Sequence, residues 1–200
     1  MTLEYPVYYH TRMNTVHQNQ QTNTLTTTDI TFIAMFAALM AVCSWISIPA
    51  TVPFTLQTFA VFLTTGLLGG RRSTIAVVLY ILLGAVGLPV FSGFTGGIGH
   101  LLGPTGGYIF GFIFTALIMW LIEHRNGRSL PVLAFSMAAG LLICYGVGTE
   151  WFVFVYTRSN DPVSFATALS WCVVPYIIPD AVKIVLAVIL TRRLRPLLPL

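Results

Sequence analysis

Six apolar stretches, at about residues 30–48, 57–70, 73–90, 106–122, 130–156 and 165–191, make up most of this chain, and turn residues or arginine clusters separate them. Only 8% of the residues are charged and 56% are hydrophobic, where a soluble domain carries about 25% charged residues. A chain of 200 residues so composed is expected to be an all-α integral membrane protein, one bundle of six membrane helices. The second stretch is too short to cross about 30 Å of hydrocarbon at 1.5 Å per residue. A neighbouring loop should complete it inside the protein, because irregular backbone at membrane depth must line a cavity or pack on protein.

Arginines set the orientation. Arg71 and Arg72 join segments two and three, Arg125 and Arg128 join four and five, and Arg192, Arg193 and Arg195 follow the last segment, so all three clusters fall on one side. The opposite loops carry only Arg158, and the positive-inside rule then places both termini in the cytoplasm. The net charge of +4 therefore speaks of topology and not of nucleic acid. Residues 1–28, with "HQNQQTNTLTTTD", are too polar to fold alone and read as a loose tail before a membrane domain over 29–200. They lack the basic start and short apolar core of a removable signal peptide. Asp29 or a preceding threonine is placed to cap the first helix.

Two irregular stretches face outward together: "ATVPFTLQT" at 50–58 and "LPVFSGFTGGIGHLLGPTGGY" at 88–108. Seven of the seventeen glycines lie between Phe91 and Gly107. Glycine is kept where backbone turns at positive φ or approaches something closely. Nucleotide chemistry does not explain them: the chain's one lysine, Lys183, is far from any Walker A spacing, and Gly97, Gly99 and Gly103 miss the dinucleotide spacing by one place. Helix packing explains part, since Gly66/Gly70, Gly103/Gly107 and Gly107/Gly111 have the Gly-x-x-x-Gly spacing. The broken run from Gly93 to Gly99 suits a lid over a ligand equally well. His100 within it has no second histidine, cysteine or carboxylate at ligand spacing, so no metal site is expected. Cys43, Cys144 and Cys172, far apart in apolar segments, read as packing residues.

"VVPYIIPDAVKIVLAVILTRRLRP" places Asp180 and Lys183 in the first turns after Pro179, three apart on one face near the outer end. A charge at the bilayer centre costs about 2.5 to 3.5 kcal/mol on insertion scales, so each needs compensation. The two can neutralise each other. They can also form a site in which the lysine takes a carboxylate and the aspartate accepts from N–H groups. Glu150, towards the outer end of the fifth segment, is a third candidate charge; Tyr145, Trp151 and Phe154 beside it read as packing or interfacial residues. In the first segment, Ala34 with Ala38 and Ala37 with Ala41 form small-residue pairs that permit close helix contact, inside the bundle or with a partner.

"VPFTLQTFAVFL", "YILLGAVGLPVFSGFTGGIGHLLGPTGGYIFGF" and "VPYIIPDAVK", in that order, resemble the BioY family, the biotin-binding S components of energy-coupling-factor (ECF) vitamin transporters. The resemblance covers about residues 30 to 195. It implies a non-enzymatic six-helix S component in a prokaryotic cell membrane, with biotin captured at the outer face beneath both loops and no cofactor besides that cargo. It implies that Asp180 and Lys183 contact the ligand, and that Ala34, Ala37, Ala38 and Ala41 dock a transmembrane T component completed by two cytoplasmic ATPases. Biotin's carboxylate, ureido group and apolar ring would then meet Phe54, Phe91 and Tyr108 as walls, Thr55 and Gln57 as polar contacts, and backbone at Gly96 and Gly97. Glu150 matches no acidic position of the family: it would contact and tune the ligand, partner Lys183, or only reach headgroups and reflect lineage. A solitary or proton-coupled carrier using Glu150 and Asp180 is the alternative. A membrane-embedded enzyme is a weaker one, for no catalytic motif supports it.

Overall fold

A computed structural model describes residues 25–158 and 161–198, and almost all of the expected tail lies outside them. The first helix, α1 (Thr27–Trp45), is started by a capping box. Thr26 Oγ1 accepts from the Asp29 amide at 3.2 Å, and the Asp29 carboxylate accepts from the Thr26 amide at 3.0 Å. The helix thus takes in residues 27 and 28, and the cap is one of the threonines before Asp29. Asp29 also pairs with Arg72 at 2.7 Å, which ties the start of α1 to α3 (Gly70–Ala85).

Between them runs α2 (Gln57–Leu68), at 12 residues about 18 Å long. Nearly all its side chains are buried, including Ala60, Val61, Phe62, Thr64 and Thr65. Surrounded by protein, it can carry the chain through the bundle without matching the full hydrocarbon thickness. Gly69 turns the chain into α3 at φ +79°, a conformation that favours glycine, and the Arg128 guanidinium lies over it within 1.9 Å of where a Cβ would stand.

The remaining long helices are α5 (Gly106–Asn126), α6 (Leu130–Tyr156) and α8 (Ile177–Leu194). A short α4 (Ile98–Leu101) precedes α5, and α7 (Phe165–Cys172) precedes α8. The last apolar stretch is therefore two helices: a 3-10 turn at Val174–Tyr176, carrying Pro175, separates them. Pro179 falls two residues after the start of α8, in the first turn, where its missing N–H costs nothing. Four helical segments, Thr27–Trp45, Gly106–Asn126, Leu130–Tyr156 and Phe165–Leu197, are long and apolar enough to cross a membrane.

α5 and α6 pack through small residues: Gly111 faces Cys144 and Gly140 faces Thr115, each leaving no room for a Cβ. The core is otherwise filled by Met40, Phe62, Tyr80, Met119, Met137 and Phe152, all fully buried. The only strands among the described residues are β1 (Ser47–Ile48) and β2 (Phe54–Thr55), which pair antiparallel and make the α1–α2 loop a hairpin.

Candidate functional site

A cavity of about 80 Å³ lies where this hairpin and the glycine loop meet α5, α6 and α8. Its polar wall is built on α8. Asp180 and Lys183 are only 3% and 4% exposed, and their ion pair measures 2.7 Å. Lys183 Nζ also donates to the Thr55 carbonyl at 2.7 Å and to Thr58 Oγ1 at 2.9 Å, so its three N–H groups are all used. The Phe54 ring covers the ammonium at 4.1 Å. Asp180 Oδ1 accepts from Thr58 at 3.3 Å as well as from Lys183, while Oδ2 accepts from the Tyr145 hydroxyl. The pair is thus neutral and hydrogen-bonded, the condition under which two charges can be held inside a low-dielectric bundle.

The facing walls are aromatic, aliphatic and thiol: Tyr108, Ile109, Phe112, Cys144, Cys172 and Tyr176. Tyr176 stacks on Phe54 with ring centres 6.1 Å apart, and its hydroxyl donates to the Val52 carbonyl, which fixes the hairpin over the charged pair. Tyr108 sits against Gly148, where a Cβ would come within 2.2 Å of its ring, and its hydroxyl bonds Thr149 at 3.0 Å.

Gln57 connects the cavity to the glycine loop. Its Nε2 donates to the Tyr80 hydroxyl at 2.8 Å, and Tyr80 donates to the Val90 carbonyl at 2.9 Å. Ser44 Oγ reaches the same carbonyl at 2.6 Å, and Trp45 Nε1 donates to the Pro89 carbonyl at 2.8 Å. The loop is pinned to α1 and α3 at its first residues. His100, on the cavity wall, stacks on Phe91 at 5.2 Å and bonds Thr95 Oγ1 at 3.1 Å; burial holds its imidazole below the usual pKa. No group of three or more metal-ligating side chains occurs among the described residues.

Of the residues picked out by sequence, Phe54, Thr55, Gln57, Tyr108, Asp180 and Lys183 line the cavity. Phe91, Gly96, Gly97 and Glu150 do not. Phe91 is buried one layer back, its ring against Gly84 and the Tyr80 edge. Gly96 lies against the Leu88 carbonyl, and the Gly97 amide is taken by the Gly84 carbonyl at 2.7 Å, so the first folds the loop on itself and the second ties it to the end of α3. Glu150 is exposed on α6. Ala37 and Ala41 face the core, whereas Ala34 and Ala38 are exposed.

Thr58, His100, Cys144, Tyr145, Cys172 and Tyr176 also line the site, and none was assigned to it from sequence. Tyr145 had a signal: a hydroxyl in the middle of an apolar helix needs a partner, and Asp180 is that partner.

The sequence profile of the BioY family matches residues 16–200. The chain belongs to the BioY family. It is 44% identical over 164 residues to the biotin transporter BioY of Thermotoga maritima, covering 82% of this chain and 93% of that one. A probable biotin transporter BioY of Pyrococcus horikoshii is 39% identical over 168 residues, covering 84% and 96%. Among solved structures, the S-component for biotin from an ECF-type ABC transporter superposes with a TM-score of 0.77 at 26% identity, over 86% of this chain and 95% of that one. The all-helical bundle is therefore that of an ECF S-component, and its BioY relatives are transporters and not enzymes.

Proposed function

We propose that this BioY protein is the biotin-binding S subunit of an ECF-type transporter in a prokaryotic cell membrane. The observation that carries this is the buried Asp180–Lys183 pair, set in a mainly apolar and aromatic cavity beneath the hairpin and the glycine loop. Biotin has a carboxylate for the lysine, ureido N–H groups for the aspartate, and an apolar ring and chain for Tyr108, Phe112 and Phe54. Because Lys183 already spends its three donors, the ligand carboxylate displaces an internal acceptor such as the Thr55 carbonyl. Binding then exchanges one set of bonds for another, and the hairpin moves with it.

The bundle crosses the membrane six times with both termini inside, since Arg71, Arg72, Arg125, Arg128, Arg192, Arg193 and Arg195 all join or follow helices on one side. The exposed Ala34 and Ala38 offer a flat strip of α1 to a transmembrane T component, and two cytoplasmic ATPases supply the energy. A proton-coupled carrier using Glu150 with Asp180 finds no support, for Glu150 stands outside the cavity.

Isothermal titration of the detergent-purified protein with biotin tests the assignment beside well-folded Asp180→Asn and Lys183→Ala. Loss of about 100-fold or more in each variant is expected, the scale for stripping a partner from a buried charge pair. Absence of biotin binding in folded wild type overturns it.

A further inference from the structure

We infer that the arginine-bearing end of the bundle, opposite the cavity just described, holds a second site that binds a phosphate group. Arg128, Arg192 and Arg195 converge there on a cavity of about 440 Å³ whose other walls include Leu130, Leu133 and Pro196. Arg128 comes from the α5–α6 turn, while Arg192 and Arg195 lie three apart on one face at the end of α8.

One acid serves the three. Arg128 Nε is paired with Glu123 Oε2 at 2.9 Å, and Arg195 Nη1 donates to the Arg128 carbonyl at 3.3 Å. Arg192 makes no hydrogen bond or ion pair among the described residues. Each guanidinium offers five donors, so most of those around the cavity are unspent. Two uncompensated positive charges remain.

Setting the orientation of the chain requires arginines at this end of the bundle. It does not require three of them to gather around one cavity, where their charges repel. Position also argues for a built site: the Arg128 guanidinium is laid across Gly69, the residue whose positive φ and missing Cβ make the space. Planar forks converging from two segments suit a phosphate, which they bind bidentately. The leucine and proline walls continue the site towards apolar matter, as in the basic pockets between membrane helices that hold anionic lipid headgroups. The phosphate thus comes from a phospholipid or from free phosphate.

Thermal unfolding of the detergent-purified full chain, followed while dioctanoyl phosphatidylglycerol, phosphate-free dioctanoylglycerol or inorganic phosphate is titrated at matched ionic strength, separates these. A saturable rise in midpoint is expected with phosphatidylglycerol. Its half-saturating concentration should rise about fivefold in Arg192→Gln and in Arg195→Gln, from about 1 kcal/mol per arginine. Arg193→Gln, which alters an exposed neighbour outside the cavity, should leave it unchanged. The same pattern with inorganic phosphate would support the site with free phosphate as its ligand. No saturable shift with either, an equal shift with phosphate-free dioctanoylglycerol, or an equal loss in Arg193→Gln overturns the inference and leaves the arginines as topological markers.

Discussion

Lys183 Nζ lies 2.7 Å from the carbonyl oxygen of Thr55, a contact between residues 128 positions apart that fastens the β1–β2 hairpin to α8. The bond uses backbone at one end, so no side-chain change at Thr55 removes it, and only Lys183 controls it. The same ammonium neutralises Asp180. Closing the loop and balancing the buried charge are thus one event, and a ligand that competes for Lys183 acts on both.

This coupling predicts strong non-additivity. Lys183→Met leaves Asp180 buried and unpaired, and Asp180→Asn does the same to Lys183; each should cost about 3–5 kcal/mol. The double variant Asp180→Asn/Lys183→Met removes both charges and should cost clearly less than the sum, whereas two independent contacts would add. Thermal or denaturant unfolding of the four proteins in one detergent checks it. An additive result would mean that Thr55, Thr58 and Tyr145, rather than the partner charge, carry the stabilisation.

A second prediction concerns Tyr80, whose buried hydroxyl stands between Gln57 on the cavity wall and Val90 at the root of the glycine loop. Tyr80→Phe keeps the ring against Phe91 but leaves Gln57 Nε2 without its acceptor and the Val90 carbonyl with the Ser44 bond alone, at about 1–3 kcal/mol. Because the root of the loop is loosened, biotin should leave faster while the association rate changes little. Chase of bound labelled biotin by unlabelled biotin reads this directly. An unchanged release rate with a lowered unfolding midpoint would make Tyr80 a packing residue only.

How far the sequence alone disclosed this site depended on the kind of signal. Asp180 and Lys183 were legible because charge in an apolar helix is costly and must be answered nearby. The short α2 was legible from its length alone. Glycines misled: Gly96 and Gly97 point to a backbone that approaches something, and composition cannot say that the something is the loop's own Leu88 carbonyl and the Gly84 carbonyl of α3. Thr58 and Tyr145 were hidden for another reason. Their roles come from the crossing of α2 and α6 with α8, which one-dimensional spacing does not encode. Pro175 divides the last segment into α7 and α8, yet a proline in an apolar run reads equally as a kink.

The two alanine pairs of α1 make a third prediction, because sequence treats them alike and the fold separates them. Ala37 is 1% exposed and packs in the core, so Ala37→Leu overfills it and should cost about 1–3 kcal/mol. Ala34 and Ala38 are exposed, so leucine there should leave the unfolding midpoint and biotin affinity within error. If this strip docks a T component, the added side chains hold the two helices apart, since contact through small residues depends on close approach. Ala34→Leu and Ala38→Leu should then reduce recovery of the T and ATPase subunits with a tagged S subunit, and biotin uptake with it, while Ala37→Leu lowers folded yield instead. Full recovery of partners with both exposed variants would move the docking surface elsewhere on the bundle.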